Sequence, residues 1–413
     1  MKKDILIYFS GKIIPAGVNL LIIILAVRYL GNSEYGKYSL VFYATMLIST
    51  LSFGWIQQSI LRFLSAYLGE ELLVVNRFWF LTAASSLLAA LTGLVVSFFY
   101  FRLLWQDTVV VMAYIFIYNL FLFHLTLNQT KRRSIRYATL EGTYNIVFFL
   151  LFLMLALVFK IQVFIVLFIA MVSGLMVTEL LRITVLPEGR AGIDHKRIYF
   201  NGSFTRKVFN FGFPVTIWLF LSYLLNIYDR FIIKEFTNYS DVGTYSAVKD
   251  FIIKIATFTT IPILLAFHPM IVEKWNSNHR KEAMILIRQG LNYCMLIAGV
   301  VFIFFMSFKN LFYTRVLHLQ VNHDILVSAA LIASAFLWQA AMLLHKPLEL
   351  LLKPGLMLAA IIAALAVNTV ANLVFVPLYG YTAAAVISLA SVVTYIIVIF
   401  ALLFRSRKKG LFN

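Results

Sequence analysis

The sequence predicts an all-α polytopic membrane protein, with twelve transmembrane helices in two six-helix lobes related by a pseudo-twofold axis along the membrane normal. Three observations predict it. The 413-residue chain is 62% hydrophobic and only 13% charged, where a soluble domain carries roughly 25% charged residues. Its apolar residues gather into twelve runs near the ~20 residues a helix needs to cross a bilayer, not the ~10-residue alternating stretches of a barrel. Finally, the string Ser33-Glu-Tyr-Gly-Lys-Tyr-Ser39 returns 207 residues later as Ser240-Asp-Val-Gly-Thr-Tyr-Ser246.

In order, the runs lie near 8–30, 38–62, 78–100, 107–129, 138–159 and 162–186, then 208–234, 244–268, 287–308, 325–346, 354–376 and 380–404. The first is too long for a cleaved signal peptide and no A-x-A site follows it, so it reads as a helix that stays. The stretches at 62–78 and 268–287 read as helices that extend past the bilayer or lie on its surface. The second of these is amphipathic in composition, with Glu273, Lys274, Arg280, Lys281 and Glu282. Between the halves, Pro187, Gly189 and Gly192 break a polar stretch that serves as the joint. The organisation is therefore a lobe at 1–186, a cytoplasmic linker at 187–206, a lobe at 207–404 and a basic cytoplasmic tail at 405–413. Six crossings per lobe make both lobes enter the membrane in the same direction. Two like lobes around a midplane cavity are the build of many secondary transporters.

The net charge of +18 is mostly topology. With twelve spans both termini share a side. That side carries 24 of the 35 Lys and Arg residues, the opposite side 8, and 3 (Lys12, Lys249, Lys254) fall within spans. This is the positive-inside bias, and it puts both termini in the cytoplasm. No nucleic-acid partner is implied. The single cysteine, Cys294, allows no internal disulfide and no metal cluster, and reads as a small buried apolar residue. No phosphate loop, HExxH, CxxC or GxSxG is present. The sequence thus names no catalytic residue, no metal and no cofactor, and the chain does not read as an enzyme.

Charges inside a span cost about 2.5–3.5 kcal/mol each on insertion scales, so they face a cavity or one another. Candidate substrate contacts are Lys249, Lys254, Lys12, Arg62, Arg230, Gln57, Gln58 and Asn226. Candidate ion-coupling carboxylates are Asp229, Asp250, Glu141 and Glu179. Lys254 lies about 14 Å past Tyr245 along the helix, close to mid-membrane. Asp250 and Lys254 are four apart, share a face and can pair; Lys249 has no obvious local partner and is the better anion contact. Lys12 can instead snorkel to the inner headgroups, and Glu141 can pair locally with the Lys131–Arg136 cluster. His124 reads as a hydrogen-bonded core histidine. Gly36 and Gly243 read as turn glycines in tight outer loops.

The first span, followed by Arg28-Tyr-Leu-Gly-Asn-Ser-Glu-Tyr-Gly-Lys-Tyr-Ser-Leu40 and Phe53-Gly-Trp-Ile-Gln-Gln-Ser-Ile-Leu-Arg-Phe63, resembles the opening of bacterial polysaccharide flippases. Phe211-Gly-Phe-Pro214, Asp229-Arg230 and Val242-Gly-Thr-Tyr245 resemble the start of their second half. The family belongs to the multidrug/oligosaccharidyl-lipid/polysaccharide exporter superfamily. The resemblance covers the whole chain in span count and lobe division, and its loose motifs gain specificity from their order and spacing. It implies two six-helix bundles around a cationic cavity, and translocation of undecaprenyl-pyrophosphate-linked oligosaccharide from the cytoplasmic to the outer leaflet. The units would feed O-antigen (lipopolysaccharide), capsule or related polymers. Implied partners are that lipid-linked oligosaccharide, membrane lipids, a polysaccharide polymerase and a chain-length regulator. Coupling to a proton or sodium gradient is also part of the resemblance.

The physics of that task matches the polar residues. Sugar hydroxyls are costly if left unpaired in hydrocarbon, and a pyrophosphate calls for cations. Three alternatives stay open. A drug/cation antiporter of the same superfamily should favour acidic residues in its cavity, whereas Lys249, Asp250 and Lys254 are net positive. A lipid-II-type flippase commonly has additional spans. A membrane polysaccharide polymerase or glycosyltransferase usually presents a large outer loop, which the short loops here argue against.

Overall fold

The computed structural model describes residues 2–64, 71–184, 201–351 and 353–408. Among them the regular elements are helical, as required where no water satisfies the backbone. In order they are α1 (Lys2–Phe63), α2 (Glu71–Val95), α3 (Trp105–Thr130), α4 (Ser134–Leu153), α5 (Ile165–Thr184), α6 (Gly202–Phe236), α7 (Tyr239–Asn276), α8 (Arg280–Asn310), α9 (Asp324–Leu344), the short α10 (Lys346–Leu350) and α11 (Pro354–Lys408). Ten helical segments among the described residues are long and apolar enough to cross a membrane. This is a multi-pass membrane protein.

Two of these segments contain a break. Gly31 in α1 has φ 78° and ψ 170°, and Gly380 in α11 has φ 57° and ψ −145°. Both backbones are non-helical and sit in the region that favours glycine, so each element is two helices joined at one residue. Elsewhere α2, α4 and α8 end in a widened π turn, at Val96–Tyr100, Met154–Val158 and Leu311–Leu317. Each is followed within two residues by a left-handed residue, Arg102, Lys160 or His318. The widened turn satisfies late carbonyls while the chain reverses, as in the 3.1 Å bond from the Leu103 N–H to the Ser97 carbonyl. The helix expected around 268–287 is the end of α7 and the start of α8, separated by a short turn at Asn278. Much of the expected linker and tail lies outside the described residues, at 185–200 and 409–413.

The chain forms two compact units. One comprises Met1–Ile22 with Tyr38–Phe220; the other comprises Ile23–Lys37 with Leu221–Asn413. The chain therefore passes between units inside both α1 and α6. In the first unit, Phe53, Ile56, Phe78, Phe123 and Val208 belong to one buried cluster drawn from α1, α2, α3 and α6. In the second, Ile271, Ile287, Cys294 and Leu343 join α7, α8 and α9, so Cys294 is the buried apolar residue expected. Many large apolar side chains, among them Leu88, Phe99, Leu296 and Ile397, are exposed, which suits a surface solvated by lipid.

Candidate functional site

A two-residue turn, Thr237 and Asn238, joins α6 to α7. The Asn238 side chain caps α7 by accepting from the Asp241 N–H at 2.9 Å. The turn folds the start of α7 back alongside the end of α6, so that Asp229 and Arg230 meet Lys249 and Asp250. All four are buried, with exposures of 0%, 1%, 3% and 6%. Lys249 Nζ donates to Asp229 Oδ2 at 2.5 Å, and the Arg230 guanidinium donates to Asp250 Oδ1.

Hydroxyls complete the shell. Tyr245 OH donates to Asp229 Oδ2 at 2.5 Å, Tyr35 OH to Asp250 Oδ2 at 3.1 Å, and Arg230 Nε to Ser246 Oγ at 3.1 Å. Lys249 Nζ also reaches Ser388 Oγ on α11 at 3.3 Å, which lies 3.1 Å from Ser334 Oγ on α9. Two carboxylates thus face two cations, and the quartet is formally neutral. Buried ions of this kind are held by mutual attraction and hydrogen bonds that offset a large desolvation cost.

The pairings expected from the sequence change here. Lys249 does have a partner, Asp229, twenty residues earlier on the preceding helix, a distance at which sequence spacing carries no signal. Asp250 bonds Arg230 and Tyr35, and Lys254 forms no ion pair or hydrogen bond with a described residue. The three-residue balance of Lys249, Asp250 and Lys254 was net positive; with Asp229 and Arg230 counted, the balance is one surplus cation, Lys254.

Within the second unit, residues 33–37 of the first copy of the repeated string pack against the second copy. Gly36 and Gly243 are helical, and they meet where α1 crosses α7. A Cβ on Gly243 would lie 1.7 Å from the Asn32 carbonyl oxygen, and one on Gly36 would lie 2.0 Å from that of Tyr239. Asn32 Nδ2 donates to Thr244 Oγ1 at 3.0 Å beside them. The turn reading of these glycines is therefore wrong. Neither position has room for a side chain, because the two backbones touch.

In the first unit, buried His124 on α3 places Nδ1 3.1 Å from Glu179 Oε1 on α5. Arg182 Nε donates to the other Glu179 oxygen at 2.7 Å. His124 is thus the bonded core histidine expected, and Glu179 is held by two basic side chains. A second close helix approach lies here too: a Cβ on Gly212 would meet the Trp55 carbonyl at 2.0 Å, and one on Gly54 would meet the Thr216 methyl at 2.9 Å.

A family profile described as "polysaccharide biosynthesis protein" matches residues 1–275. The chain belongs to this family of polysaccharide biosynthesis proteins. Solved structures add the fold. The lipid II flippase MurJ in an inward-closed conformation aligns with a TM-score of 0.72 at 14% identity, over 96% of this chain and 87% of that one. A transporter of the MOP superfamily from Pyrococcus furiosus, described by the reverse polarity of its binding pocket, aligns at 0.71 and 14%, over 100% and 97%. An outward-facing multidrug resistance transporter of the MATE family aligns at 0.66 and 14%, over 99% and 96%. No curated protein matches the chain in sequence. The polysaccharide biosynthesis protein therefore has the fold of MOP-superfamily transporters and flippases.

The remaining residues singled out in this polysaccharide biosynthesis protein are dispersed. Gln57 and Gln58 are half-buried on α1, and Gln57 Nε2 lies 3.4 Å from Thr126 Oγ1. Arg62 is exposed. Asn226 turns back to its own helix, donating to the Ser222 carbonyl at 2.8 Å. Glu141 is half-buried on α4. The Lys12 side chain lies outside the described residues. Tyr35, Ser334 and Ser388 were missed, because hydroxyl residues in apolar helices carry no periodic signal. Tyr245 and Ser246 had a signal, since tyrosine and serine recur at their positions in the repeated string, whereas Tyr35 lies in the string at a position where the other copy has Val242.

Proposed function

We propose that this protein is a flippase. It moves undecaprenyl-pyrophosphate-linked oligosaccharide repeat units, destined for O-antigen or capsule, from the cytoplasmic to the outer leaflet of the bacterial inner membrane by alternating access. The observation that carries this reading is the family match over residues 1–275. In this reading the breaks at Gly31 and Gly380 divide ten apolar segments into twelve crossings, six to a lobe, with both termini cytoplasmic. Lys254, half-buried and outside the quartet's ion pairs, supplies the first cationic contact to the pyrophosphate. Lys249 and Arg230 join it only where Asp229 and Asp250 give them up. Lys12, Arg62, Gln57, Gln58 and Asn226 are further polar contacts, and Asp229, Asp250, Glu141 and Glu179 are the carboxylates available for ion coupling. A polymerase and a chain-length regulator would act on the product.

A second reading has its own support. The quartet is neutral, and its two buried carboxylates are the group a drug/cation antiporter of the same superfamily would use. The sign of the deep charge alone therefore separates the two readings only by Lys254.

The deciding experiment measures leaflet accessibility of the lipid-linked oligosaccharide in cells lacking the protein, using a membrane-impermeant enzyme that attacks the sugar. Flipping predicts protection of the sugar, reversed by the wild type and not by Lys254→Ala. Unchanged outer-leaflet accessibility removes the flippase reading in favour of the antiporter.

A further inference from the structure

The second unit holds a cavity of about 1040 Å³ in the angle that Gly380 makes within α11. It is closed by the starts of α7 and α9. Its polarity is graded. Asp241, Asn322, His323, Tyr381 and Thr382 form one end, beside Gly380. One bond ties two of them, the Asn322 N–H donating to Tyr381 OH at 2.7 Å. The walls leading away are apolar, with Leu326, Phe375, Val386, Ile387 and Ala390. Of these, Leu326, Phe375 and Val386 are exposed, so the slot opens sideways on the apolar surface.

Length and charge select the occupant. From Gly380 the walls run nine residues back to Ala371 and ten forward to Ala390. At 1.5 Å per residue that is about 15 Å, half of a hydrocarbon core about 30 Å thick. A slot one leaflet deep, polar at one end only, fits a single lipid of that leaflet. The volume is at the upper end of ordinary ligand sites, roughly 300–1,000 Å³. No lysine or arginine lines it, and its one carboxylate is that of Asp241. A carboxylate without cations repels an anionic headgroup and attracts an ammonium.

We propose that this slot is a binding site for an amine-bearing phospholipid, with the ammonium on Asp241, the phosphate and ester oxygens facing Asn322, His323 and Thr382, and one acyl chain along Phe375, Val386 and Ala390. The site is separate from the buried quartet and does not depend on what the protein transports.

The test is native mass spectrometry of the full-length protein released from nanodiscs containing equal amounts of dioleoyl phosphatidylethanolamine and dioleoyl phosphatidylglycerol, with a trace of undecaprenyl phosphate. The wild type should retain one phosphatidylethanolamine, with about tenfold preference over phosphatidylglycerol, equivalent to about 1.4 kcal/mol. Asp241→Asn should bring the preference below about twofold. Val386→Trp, at an exposed wall position, should remove the retained lipid while leaving elution and melting unchanged; Ala390→Trp is the second variant if Val386→Trp does not fold. Equal or greater retention of phosphatidylglycerol, an unchanged preference in Asp241→Asn, retention undiminished by the tryptophan, or undecaprenyl phosphate in place of the phospholipid would each overturn the proposal.

Discussion

Gly36 and Gly243, the matching glycines of a string repeated 207 residues apart, lie against each other. A Cβ on Gly36 would stand 2.9 Å from the Gly243 nitrogen. The obstacles to either Cβ are main-chain atoms of the facing helix, which cannot rotate away as a side-chain tip can. Relief requires the helices to separate, which also stretches the Asn32–Thr244 and Tyr35–Asp250 bonds.

Gly243→Ala and Gly36→Ala should therefore each lower stability by about 1–3 kcal/mol or more, the usual cost of overpacking. One separation relieves both clashes, so the double variant should cost clearly less than the sum of the singles, a coupling that a double-mutant cycle detects. Gly142→Ala is the control: it is helical with nothing within 4 Å of its Cβ, and should be neutral or gain up to about 1 kcal/mol. Thermal melting in detergent measures all four. Additive losses at 36 and 243 would mean that the two glycines do not share one contact.

The helices were legible in the sequence because apolar length and lipid physics leave few options. The break at Gly31 falls between two predicted spans, and the one at Gly380 falls on the first residue of another. The repeat was legible as a pattern, but its use was not. Glycine beside an acidic residue signals a turn as well as a close crossing, and only the facing backbone distinguishes them. The charged residues of the site were named in advance, yet their pairing was not. Helical spacing proposes partners on one helix, such as Asp250 and Lys254, whereas the turn at Thr237–Asn238 places Asp229 and Arg230 nearer to Lys249 and Asp250.

Removing one member of the quartet should cost more than removing a pair. Lys249→Met leaves the Asp229 carboxylate buried at 0% exposure with its ammonium partner gone, a situation that costs about 3–5 kcal/mol. Lys249→Met combined with Asp229→Asn removes both charges and should recover most of that loss. Melting temperatures of the single and double variants decide it. A double variant no more stable than Lys249→Met would show that the ion pair is not what holds these two positions.

Arg230→Lys should be poorly tolerated although it keeps the charge. The guanidinium bridges Ser246 through Nε and Asp250 through its terminal nitrogen, a planar fork that a single ammonium cannot reproduce. A loss of about 1.5–3 kcal/mol, the range for hydrogen bonds to charged groups, should appear in melting, and Ser246→Ala should be less harmful in the Arg230→Lys background than in the wild type. Full stability of Arg230→Lys would reduce the residue to a point charge.

Lys254 should separate transport from folding. It is half-buried and outside the quartet's ion pairs, so Lys254→Ala leaves no buried counter-charge stranded and should melt close to the wild type. If the ammonium meets a pyrophosphate, its loss removes a charge-assisted contact of about 1.5–3 kcal/mol, or roughly 10- to 150-fold in substrate affinity. Binding of lipid-linked oligosaccharide to the purified variant measures this. Unaltered affinity would take Lys254 off the substrate path.

Direction of transport supplies the last prediction. An inside-negative potential favours outward movement of an anion by about 2.3 kcal/mol per charge per 100 mV if the charge crosses the full field, about fortyfold in the equilibrium ratio. The neutral quartet does not cancel that bias, because its carboxylates and cations are fixed to the same two helices and contribute no net charge when they move together. If the protein is the flippase proposed above, flux of lipid-linked oligosaccharide in vesicles with no ion gradient should therefore be outward under an inside-negative potential and should lose its net direction when the potential is clamped at zero. Undiminished net outward flux at zero potential would show that the potential is not the driving force.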